Sequence, residues 1–479
     1  MSSLHEECGV FGIYSSDAGL DVAAAAHYGL FALQHRGQES CGIYVSDRGV
    51  PTGYKSRGLV GDVFTRDVLA GLGGGNMAVG HVRYGTAESN RSRNAQPVHV
   101  NHSNGSLVVA HNGNITNAGE LRRRYEMEGC IFHTTSDTEV IAYTVTRERL
   151  KCGSIEEAAA RAMAQLEGAY SMAMMSSQKL VACRDPLGFR PLCIGTINAA
   201  DGIGNSFVIA SESCALDAVD ARFLRDIAPG EIVIIDKDGL RCDTRHCDAK
   251  KEKRLCVFEY IYFARPDSVI DGHPVHLSRT TAGQILAMEY PVNADVVIGV
   301  PDSGLDAAIG YARQSGIPYA IGLIKNKYIG RTFIQPVQSD RADSVRIKLN
   351  PVAAVLRGKR VIVAEDSIVR GTTFVRLVKL LRDAGATQVH VMSASPPYRH
   401  PCYYGTDVKS RESLLANRHG TPEDIAAAIG ADSVSYLPFG ELRRLVKPGQ
   451  GICTSCFTGE YPVQIPKEPV KSRFEEKLG

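Results

Sequence analysis

The chain has 479 residues, 44% of them hydrophobic and 22% charged, which excludes a wholly disordered or fibrous protein. Its 54 basic and 52 acidic side chains nearly cancel, so the overall charge favours binding neither to nucleic acid nor to an anionic membrane. No apolar run is long enough to span a membrane, and 13 cysteines behind a short acidic start indicate a reducing compartment, which we expect to be the cytoplasm.

Short apolar runs, often bounded by glycine, fill the first half of the chain. Strand-sized runs of this kind occupy Cys8–Tyr14, Leu30–Leu33, Cys41–Val45, Met77–His81, Leu107–His111, Tyr170–Met175, Leu180–Cys183, Leu192–Ile197 and Ser206–Ser211. Two helices are predicted among them, one capped by Asp137 and one starting at Ser154, where Glu157 could complete a capping box. Many strands and few helices predict stacked sheets.

The segment Asp236–Arg254 is charged and poor in apolar residues, and helices and strands alternate after it. The predicted helices are Leu277–Tyr290, Asp306–Arg313 and Thr373–Ala384, and the predicted strands are Asp295–Val300, Tyr319–Ile324, Arg360–Ala364 and Gln388–Ser393. This alternation is typical of a parallel sheet covered by helices, with ligands at the carboxyl ends of its strands.

The segment from Val361 to Thr373 carries the strongest single signal. A buried strand runs into Glu365 and Asp366, then into a loop of hydroxyls and glycine, then into a helix. Backbone N–H groups at such a helix start can bind a phosphate, and the two carboxylates suit a sugar diol and Mg²⁺. A kinase-type P-loop is excluded because its lysine is absent.

This segment resembles the ribose-phosphate loop of type I phosphoribosyltransferases. Gly299–Gly304 then resembles their pyrophosphate loop, and Lys325–Arg331 the basic loop that closes over phosphoribosyl pyrophosphate. The resemblance implies substrate binding by Asp302, Ser303, Gly304, Lys325, Lys327, Arg331, Glu365, Asp366, Ser367, Gly371, Thr372 and Thr373, with Mg²⁺ at Ser303, Glu365 and Asp366. One departure is Glu365, where the family usually has aspartate, so we expect the same role with altered affinity.

A second set of motifs lies in the first half. The segments Cys8–Ile13, Gln34–Ser40, Gly80–Thr86, His111–Asn114 and Ser136–Asp137 together resemble the class II glutamine amidotransferase domain, an N-terminal-nucleophile fold. A cysteine that attacks an amide needs a base, and a freed α-amine with a pKa of roughly 7.7–8.0 can serve.

Because Cys8 is internal as encoded, Met1–Glu7 must be removed as a propeptide. The resemblance also implies that Arg83 and Asp137 hold glutamine, and that Asn112 and Gly113 donate to the oxyanion. Arg36 and His81 are expected to act as scaffold.

Four cysteines are candidate metal ligands. Cys453 and Cys456 form a Cys-x2-Cys pair, and Cys256 and Cys402 flank the transferase core. Four thiolates suit a [4Fe–4S] cluster or Zn²⁺, and their spacing does not decide between the two. Resemblance to cluster-bearing bacterial enzymes favours the cluster, in a structural role.

The two halves together resemble the amidophosphoribosyltransferase family. The implied fold is α+β and α/β: an N-terminal-nucleophile αββα sandwich followed by a type I phosphoribosyltransferase parallel-sheet domain. We expect a propeptide 1–7, an amidotransferase domain 8–245, a transferase domain 246–465 with the cluster ligands, and a mobile tail 466–479. The implied reaction converts glutamine, phosphoribosyl pyrophosphate and water to 5-phosphoribosylamine, glutamate and diphosphate, with ammonia passing internally. A homotetramer inhibited by purine nucleotides is implied as well.

Two other classes stay open on the sequence. A regulatory phosphoribosyl-diphosphate-binding protein would keep the Glu365–Thr373 loop but would not need Cys8, Asn112 and Asp137. Another class II amidotransferase, such as a glucosamine-phosphate or asparagine synthase, would share the first half but carry a different acceptor domain.

Overall fold

The computed structural model describes residues 8–17, 19–84, 92–197, 206–326, 349–406, 408 and 410–465. The predicted propeptide 1–7, the predicted tail 466–479, Lys327 and Arg331 lie outside these residues. Among the described residues, no helix combines the length and apolar character needed to cross a membrane.

Two antiparallel sheets make up the first half. The seven-stranded sheet has the order Arg222–Asp226, Cys193–Ile197, Ser206–Ala210, Gly9–Ser15, Met77–Arg83, Ser40–Asp47 and Val50–Arg57. The six-stranded sheet has the order Gly239–Asp243, Ile232–Asp236, Leu180–Arg184, Gly168–Ser176, Gly105–Ile115 and Val98–His102. Their facing sides share one buried apolar core, which includes Val10 and Val79 from the first sheet and Ala173 and Val233 from the second.

Helices cover both outer faces. Val22–Ala32 packs on the seven-stranded sheet, and Asp137–Arg149 and Ile155–Met163 pack on the six-stranded sheet. This arrangement confirms the predicted αββα sandwich. The remaining helical elements of this half are Gln34–Arg36, Val60–Val63, Arg66–Leu72, Ser92–Asn94, Ala118–Met127 and Cys214–Asp217.

A four-stranded parallel sheet forms the core of the second half. Its strands lie in the order Val296–Gly299, Arg360–Glu365, Gln388–Ser393 and Ser433–Tyr436. Val275–Glu289 and Leu305–Ser315 pack on one face, and Thr372–Asp383 and Pro422–Ile429 on the other. The predicted parallel-sheet domain is therefore confirmed. Shorter helical elements are Glu259–Phe263, a π-helical turn, and Ala353–Leu356, Leu415–Arg418, Phe439–Leu445 and Ser455–Thr458.

Small strand pairs join distant parts of the chain. Leu255–Cys256 runs parallel to Ile452–Cys453, with Cys256 opposite Cys453. Val269–Ile270 and His273–Pro274 form a short hairpin. The predicted domain boundary at 245/246 falls between the strand Gly239–Asp243 and Leu255–Cys256. Its position stays a prediction.

Several predicted elements differ from the structure. Leu30–Leu33 is the end of a helix and the residue after it, because the alanine-rich segment is apolar nearly all round and hides its helical period. The cap of the next predicted helix is Ser136 rather than Asp137, since the Ser136 side chain accepts from Thr138 N at 3.2 Å. Tyr319–Ile324 is not a strand of the sheet: Tyr319 makes one isolated bridge, and Leu323–Lys325 pairs antiparallel with Leu349–Pro351.

The capping box predicted at Ser154 is half formed. Ser154 Oγ accepts from Glu157 N at 3.2 Å. The Glu157 side chain instead accepts from Arg161 at 2.8 Å and Arg245 at 2.6 Å, because charged donors compete better for a carboxylate than a backbone N–H does.

Candidate active sites

Cys8 lies directly before the strand Gly9–Ser15 and is half-buried. Gly9 pairs with Val82, so Cys8 and Arg83 are neighbours at one end of two adjacent strands. The Cys8 thiol lies 4.0 Å from the carbonyl oxygen of Tyr84. The structure thus places Cys8 at the edge of the sandwich beside one of the two predicted glutamine-binding residues.

Arg36 holds the backbone of Cys8. Its Nε donates to the Cys8 carbonyl oxygen at 3.0 Å. Its other nitrogens donate to Glu212 at 2.5 Å and to Glu259 at 2.9 and 3.0 Å, and all three side chains are fully buried. Burial alone would lower the pKa of Arg36, but the two carboxylates raise it, so the guanidinium keeps its charge.

The carboxylates Glu212 and Glu259 were not singled out from the sequence. One signal was present: Glu259 is the only charged residue in the apolar run Leu255–Ala264. Because burying an unpaired charge is costly, a lone carboxylate in such a run is buried only when it has a partner of opposite charge. The identity of that partner could not be read from the sequence, since Arg36 lies 223 residues away.

Asn112 and Gly113 lie on the strand Gly105–Ile115, which faces the Cys8 sheet. Asn112 is fully buried, and its side-chain nitrogen and oxygen have no hydrogen-bond partner among the described residues. Gly113 has φ of 138°, and a Cβ there would come within 2.1 Å of the carbonyl oxygen of Ala169. An unpartnered buried amide is costly, so its presence points to a ligand that it binds.

Asp137 lies at the start of its helix, where its Oδ2 accepts from Ile115 N at 3.0 Å and lies 3.7 Å from His111 Nδ1. Burial would raise its pKa, but His111 and the backbone donors outweigh burial and lower it, so the carboxylate stays ionised. His81, on the seven-stranded sheet, has its Nε2 3.0 Å from the carbonyl oxygen of His111 on the six-stranded sheet, so this contact joins the two sheets. Burial lowers the pKa of His81 to about 3, which keeps it neutral.

Arg83 ends the strand Met77–Arg83 and lies 3.7 Å from Glu39. Burial raises the pKa of Glu39, although Arg83 opposes this. Cys8 and Arg83 therefore lie at one end of two neighbouring strands, and Asn112 and Gly113 lie on a strand of the facing sheet. Asp137 begins a helix and accepts from Ile115 of that facing strand.

The ends of two neighbouring parallel strands meet in the second half. Gly299 pairs with Ala364, so the Pro301–Gly304 loop and the Glu365–Asp366 pair emerge side by side. Ser303 Oγ donates to Asp366 at 2.5 Å, and the other Asp366 oxygen accepts from Ser367. Gly304 is required here, since a Cβ would lie 2.5 Å from the carbonyl oxygen of Ala364.

Two further predicted residues complete this edge. Lys325 donates to Asp302, so the first cation of the predicted basic loop already touches the pyrophosphate loop. Gly371, with φ of 79°, turns the chain into the helix Thr372–Asp383, whose first residues are Thr372 and Thr373. Lys327 and Arg331 lie outside the described residues.

Glu365 and Asp366 are both buried, yet one oxygen of Glu365 has no partner among the described residues. Burial, and then the neighbouring Asp366, raise the pKa of Glu365 well above its usual range. Two adjacent carboxylates beside the Ser303 hydroxyl form an all-oxygen donor set, which is the kind that Mg²⁺ prefers.

The four predicted cysteine ligands converge. Cys453 and Cys456 are buried, Cys256 pairs with Cys453 across two strands, and Cys402 accepts from Tyr404 N at 3.4 Å. Burial and then Cys256, Cys453 and Cys402 raise the pKa of the Cys456 thiol well above its usual range. Nowhere in the described part of the chain do three or more His, Cys, Asp or Glu side chains already stand in metal-binding geometry. The all-sulfur donor set nevertheless suits a cluster or Zn²⁺, either of which would hold these thiols as thiolates.

The π-helical turn Glu259–Phe263 has contacts toward both candidate sites. Glu259 contacts Arg36, while Tyr260 and Ile261 line a narrow cavity together with Arg279 and Ser303. One turn of chain therefore touches the support of Cys8 and the pyrophosphate loop.

Comparisons with known proteins agree with both halves. A family model for the glutamine amidotransferase domain matches residues 81–218, and one for the phosphoribosyl transferase domain matches residues 275–411. The chain is 44% identical to the amidophosphoribosyltransferase of Bacillus subtilis over 100% of this chain and 98% of that protein. It is 48% identical to that of Archaeoglobus fulgidus over 96% of this chain and 99% of that protein.

Solved structures agree as well. The glutamine phosphoribosylpyrophosphate amidotransferase of B. subtilis, complexed with ADP and GMP, superposes with a TM-score of 0.88 over 97% of this chain and 99% of that one, at 44% identity. A second structure, described as the allosteric regulatory enzyme of purine biosynthesis, gives 0.89 over 98% and 99%, also at 44% identity. The chain belongs to the amidophosphoribosyltransferase family, enzymes that use glutamine to transfer an amino group to phosphoribosyl pyrophosphate in purine biosynthesis.

Proposed function

We propose that the reaction is divided between the two sites and begins at Cys8, once residues 1–7 have been removed. The thiol attacks the amide carbon of glutamine, and the freed α-amine of Cys8 takes the thiol proton and passes it to the departing nitrogen. Ammonia leaves, and water then hydrolyses the thioester to glutamate. Two observations carry this assignment: Arg36 holds the Cys8 backbone at 3.0 Å, and the buried Asn112 side chain on the facing sheet has no partner among the described residues.

Four other residues serve this half-reaction in the proposal. The Asn112 amide and the Gly113 N–H donate to the oxyanion, and donors fixed before the reaction stabilise developing charge without reorganisation. Arg83 and the ionised Asp137 bind the carboxylate and the ammonium group of glutamine, which their opposite charges support.

In the second half-reaction, ammonia attacks the anomeric carbon of phosphoribosyl pyrophosphate and diphosphate leaves. The Ser367–Thr373 loop and the helix start hold the ribose phosphate, since backbone N–H groups there point outward. Asp302, Ser303 and Gly304 border the diphosphate, with Lys325, Lys327 and Arg331 supplying positive charge. Mg²⁺, held by Ser303, Glu365 and Asp366, would neutralise charge on the diphosphate.

Ammonia passes inside the protein between the sites in this proposal. The turn Glu259–Phe263 supports such a route, because Glu259 contacts Arg36 and the next two residues, Tyr260 and Ile261, line a narrow cavity with Ser303. Closure of the Lys325–Arg331 loop would exclude water from the reacting centre.

The cysteine quartet is proposed to hold a [4Fe–4S] cluster, with Zn²⁺ as the alternative. The convergence of four thiols from three separate segments supports a structural role, since neither half-reaction moves electrons. Reduced thiols of this kind go with a cytoplasmic location.

Regulation and assembly complete the proposal. We expect purine nucleotides to inhibit the enzyme, as the B. subtilis relative that was solved with ADP and GMP supports. We also expect a homotetramer, which light scattering would measure.

Diphosphate release from phosphoribosyl pyrophosphate with Mg²⁺, compared with glutamine and with ammonia as nitrogen donor, tests the proposal. Release with both donors is expected. Release with ammonia alone would mean that Cys8 is unprocessed or misassigned, and mass spectrometry of the N-terminus would separate these cases. No release with either donor from folded protein would overturn the assignment and favour a regulatory binding protein.

A further inference from the structure

A buried network of four charged side chains connects the Cys8 backbone with the start of the transferase half. Its members are Arg36, Arg190, Glu212 and Glu259, whose side chains are wholly removed from solvent. Two positive and two negative charges balance within it. Removing one member of such a network leaves a buried charge without compensation, so the four side chains act as a unit.

Glu259 fixes the orientation of Arg36. Arg36 Nη2 donates to both Glu259 oxygens, at 2.9 and 3.0 Å, and Nη1 donates to Oε2 at 3.0 Å. A guanidinium is planar and rigid, so a carboxylate that grips one edge sets the direction of every other N–H. The remaining Nε–H is thereby aimed at the Cys8 carbonyl oxygen.

The transferase side of the molecule sets the position of Glu259. Glu259 begins the turn Glu259–Phe263, whose carbonyls at Tyr260 and Tyr262 accept from Arg279 at 2.9 and 3.0 Å. Arg190 contacts Glu259 at 3.2 Å and also donates to the carbonyl oxygen of Tyr404 at 2.6 Å. The backbone of the Glu259 turn is therefore fastened by Arg279 of the second half, while the Glu259 carboxylate contacts Arg36 and Arg190 of the first half.

We propose that Glu259 is a positioning residue for the glutamine half-reaction. It acts through Arg36 to orient the carbonyl of Cys8, and so the thiol and the α-amine that the same residue carries. This inference rests on the proposed role of Cys8 as nucleophile. The orientation of Cys8 in the glutamine site is thereby assigned to a carboxylate from the transferase half.

The variant Glu259→Gln tests this in the full-length enzyme. It keeps the side-chain volume and one acceptor oxygen, but it replaces the second oxygen with a donor that faces Arg36. Because misplacement of a reacting group by about 1 Å can cost about 100-fold, we expect kcat/KM for glutamine to fall by about tenfold or more. Ammonia-dependent kcat should stay within about twofold. Glu259→Asp, which keeps the charge, should recover part of the loss.

Alkylation of Cys8 by iodoacetamide gives a readout that does not depend on glutamine binding. The rate of modification, followed by peptide mass spectrometry, should change in Glu259→Gln. An unchanged rate together with unchanged glutamine kinetics would overturn the proposal.

Asp271→Asn is a matched control. Asp271 also lies beyond the boundary and grips a buried arginine of the first half, Arg184, at 2.8 and 3.0 Å, but it does not touch Arg36 or Cys8. This variant should lower the unfolding temperature without changing the ratio of glutamine to ammonia use. If it gives the same selective loss, or if Glu259→Gln lowers both routes equally, Glu259 has only a structural role and the proposal fails. Cys8→Ala, measured in parallel, separates these outcomes from failure of the nucleophile assignment, which would show as surviving glutamine use.

Discussion

Ser303 Oγ donates to Asp366 at 2.5 Å and so ties together the loops that follow two neighbouring parallel strands. We expect Ser303→Ala to raise KM for phosphoribosyl pyrophosphate by about tenfold, with glutamine and with ammonia alike, since a lost hydrogen bond to a charged group costs about 1.5–3 kcal/mol. Steady-state diphosphate release measures this effect.

Ser278→Ala is the control for that variant. Ser278 is a buried hydroxyl in the same cavity, but it donates to the carbonyl oxygen of Leu445 at 2.6 Å. Equal effects of the two variants on KM would contradict a specific role for Ser303.

Asn112→Ala should remove an oxyanion donor. Loss of one such donor typically lowers kcat about 100- to 1,000-fold, so glutamine-dependent turnover should fall by that order while ammonia-dependent turnover is kept. Asn117→Ala is a suitable comparison, because Asn117 already donates to Gln165 O at 2.8 Å and accepts from Glu167 N at 3.1 Å. It should reduce stability and spare glutamine use. Comparable losses of turnover in both variants would refute the assignment of Asn112.

His81 should make stability depend on pH. Burial depresses its pKa to about 3 from 6.5, so the folded protein binds fewer protons than the unfolded chain between these values. The stability that neutral His81 contributes is present above about pH 6.5 and is lost as pH falls, by at most about 1.4 kcal/mol per pH unit. The unfolding temperature of His81→Gln should therefore fall less between pH 7 and pH 5 than the unfolding temperature of the parent protein. A parallel fall in both proteins would contradict this account.

The cysteine quartet predicts a metal content. Protein purified anaerobically should contain iron and acid-labile sulfide, and Cys456→Ser should lose both. Cys183→Ser, which changes a buried thiol outside the quartet, should retain them. Stoichiometric zinc without iron would rule out the cluster and leave the alternative metal.

Local patterns predicted the fold class and most strands. The strand Gln388–Ser393 is as predicted, and Arg360–Glu365 differs by one residue, because both are short β-branched runs with clear ends. The strand predicted at Leu30–Leu33 is wrong because the exposed face of this helix carries the large apolar side chains Tyr28 and Phe31, so no polar face marks the helical period. The strand predicted at Tyr319–Ile324 is wrong for another reason. The strand in this region, Leu323–Lys325, pairs with Leu349–Pro351, a distant partner that no local pattern reveals.

The site residues also fall into two groups: those that a local sequence pattern marks and those that depend on distant contacts. Glu365 and Asp366 stood out because a strand ran straight into them. Glu212 and Glu259 did not, because their importance comes from Arg36, which is 176 and 223 residues away in sequence. The Arg36–Glu212 contact forms only when the first half has folded, and the Arg36–Glu259 contact only when the two halves have packed.

The parallel pairing of Cys256 with Cys453 brings the entry and exit of the transferase half to one point. Roughly 200 residues form a closed loop between them, and closing a long loop removes more entropy from the unfolded chain than closing a short one. A metal centre held by thiols from both ends would therefore act as a cross-link that closes this loop. Its removal should free both ends together, so that heat unfolds the transferase half before the two stacked sheets.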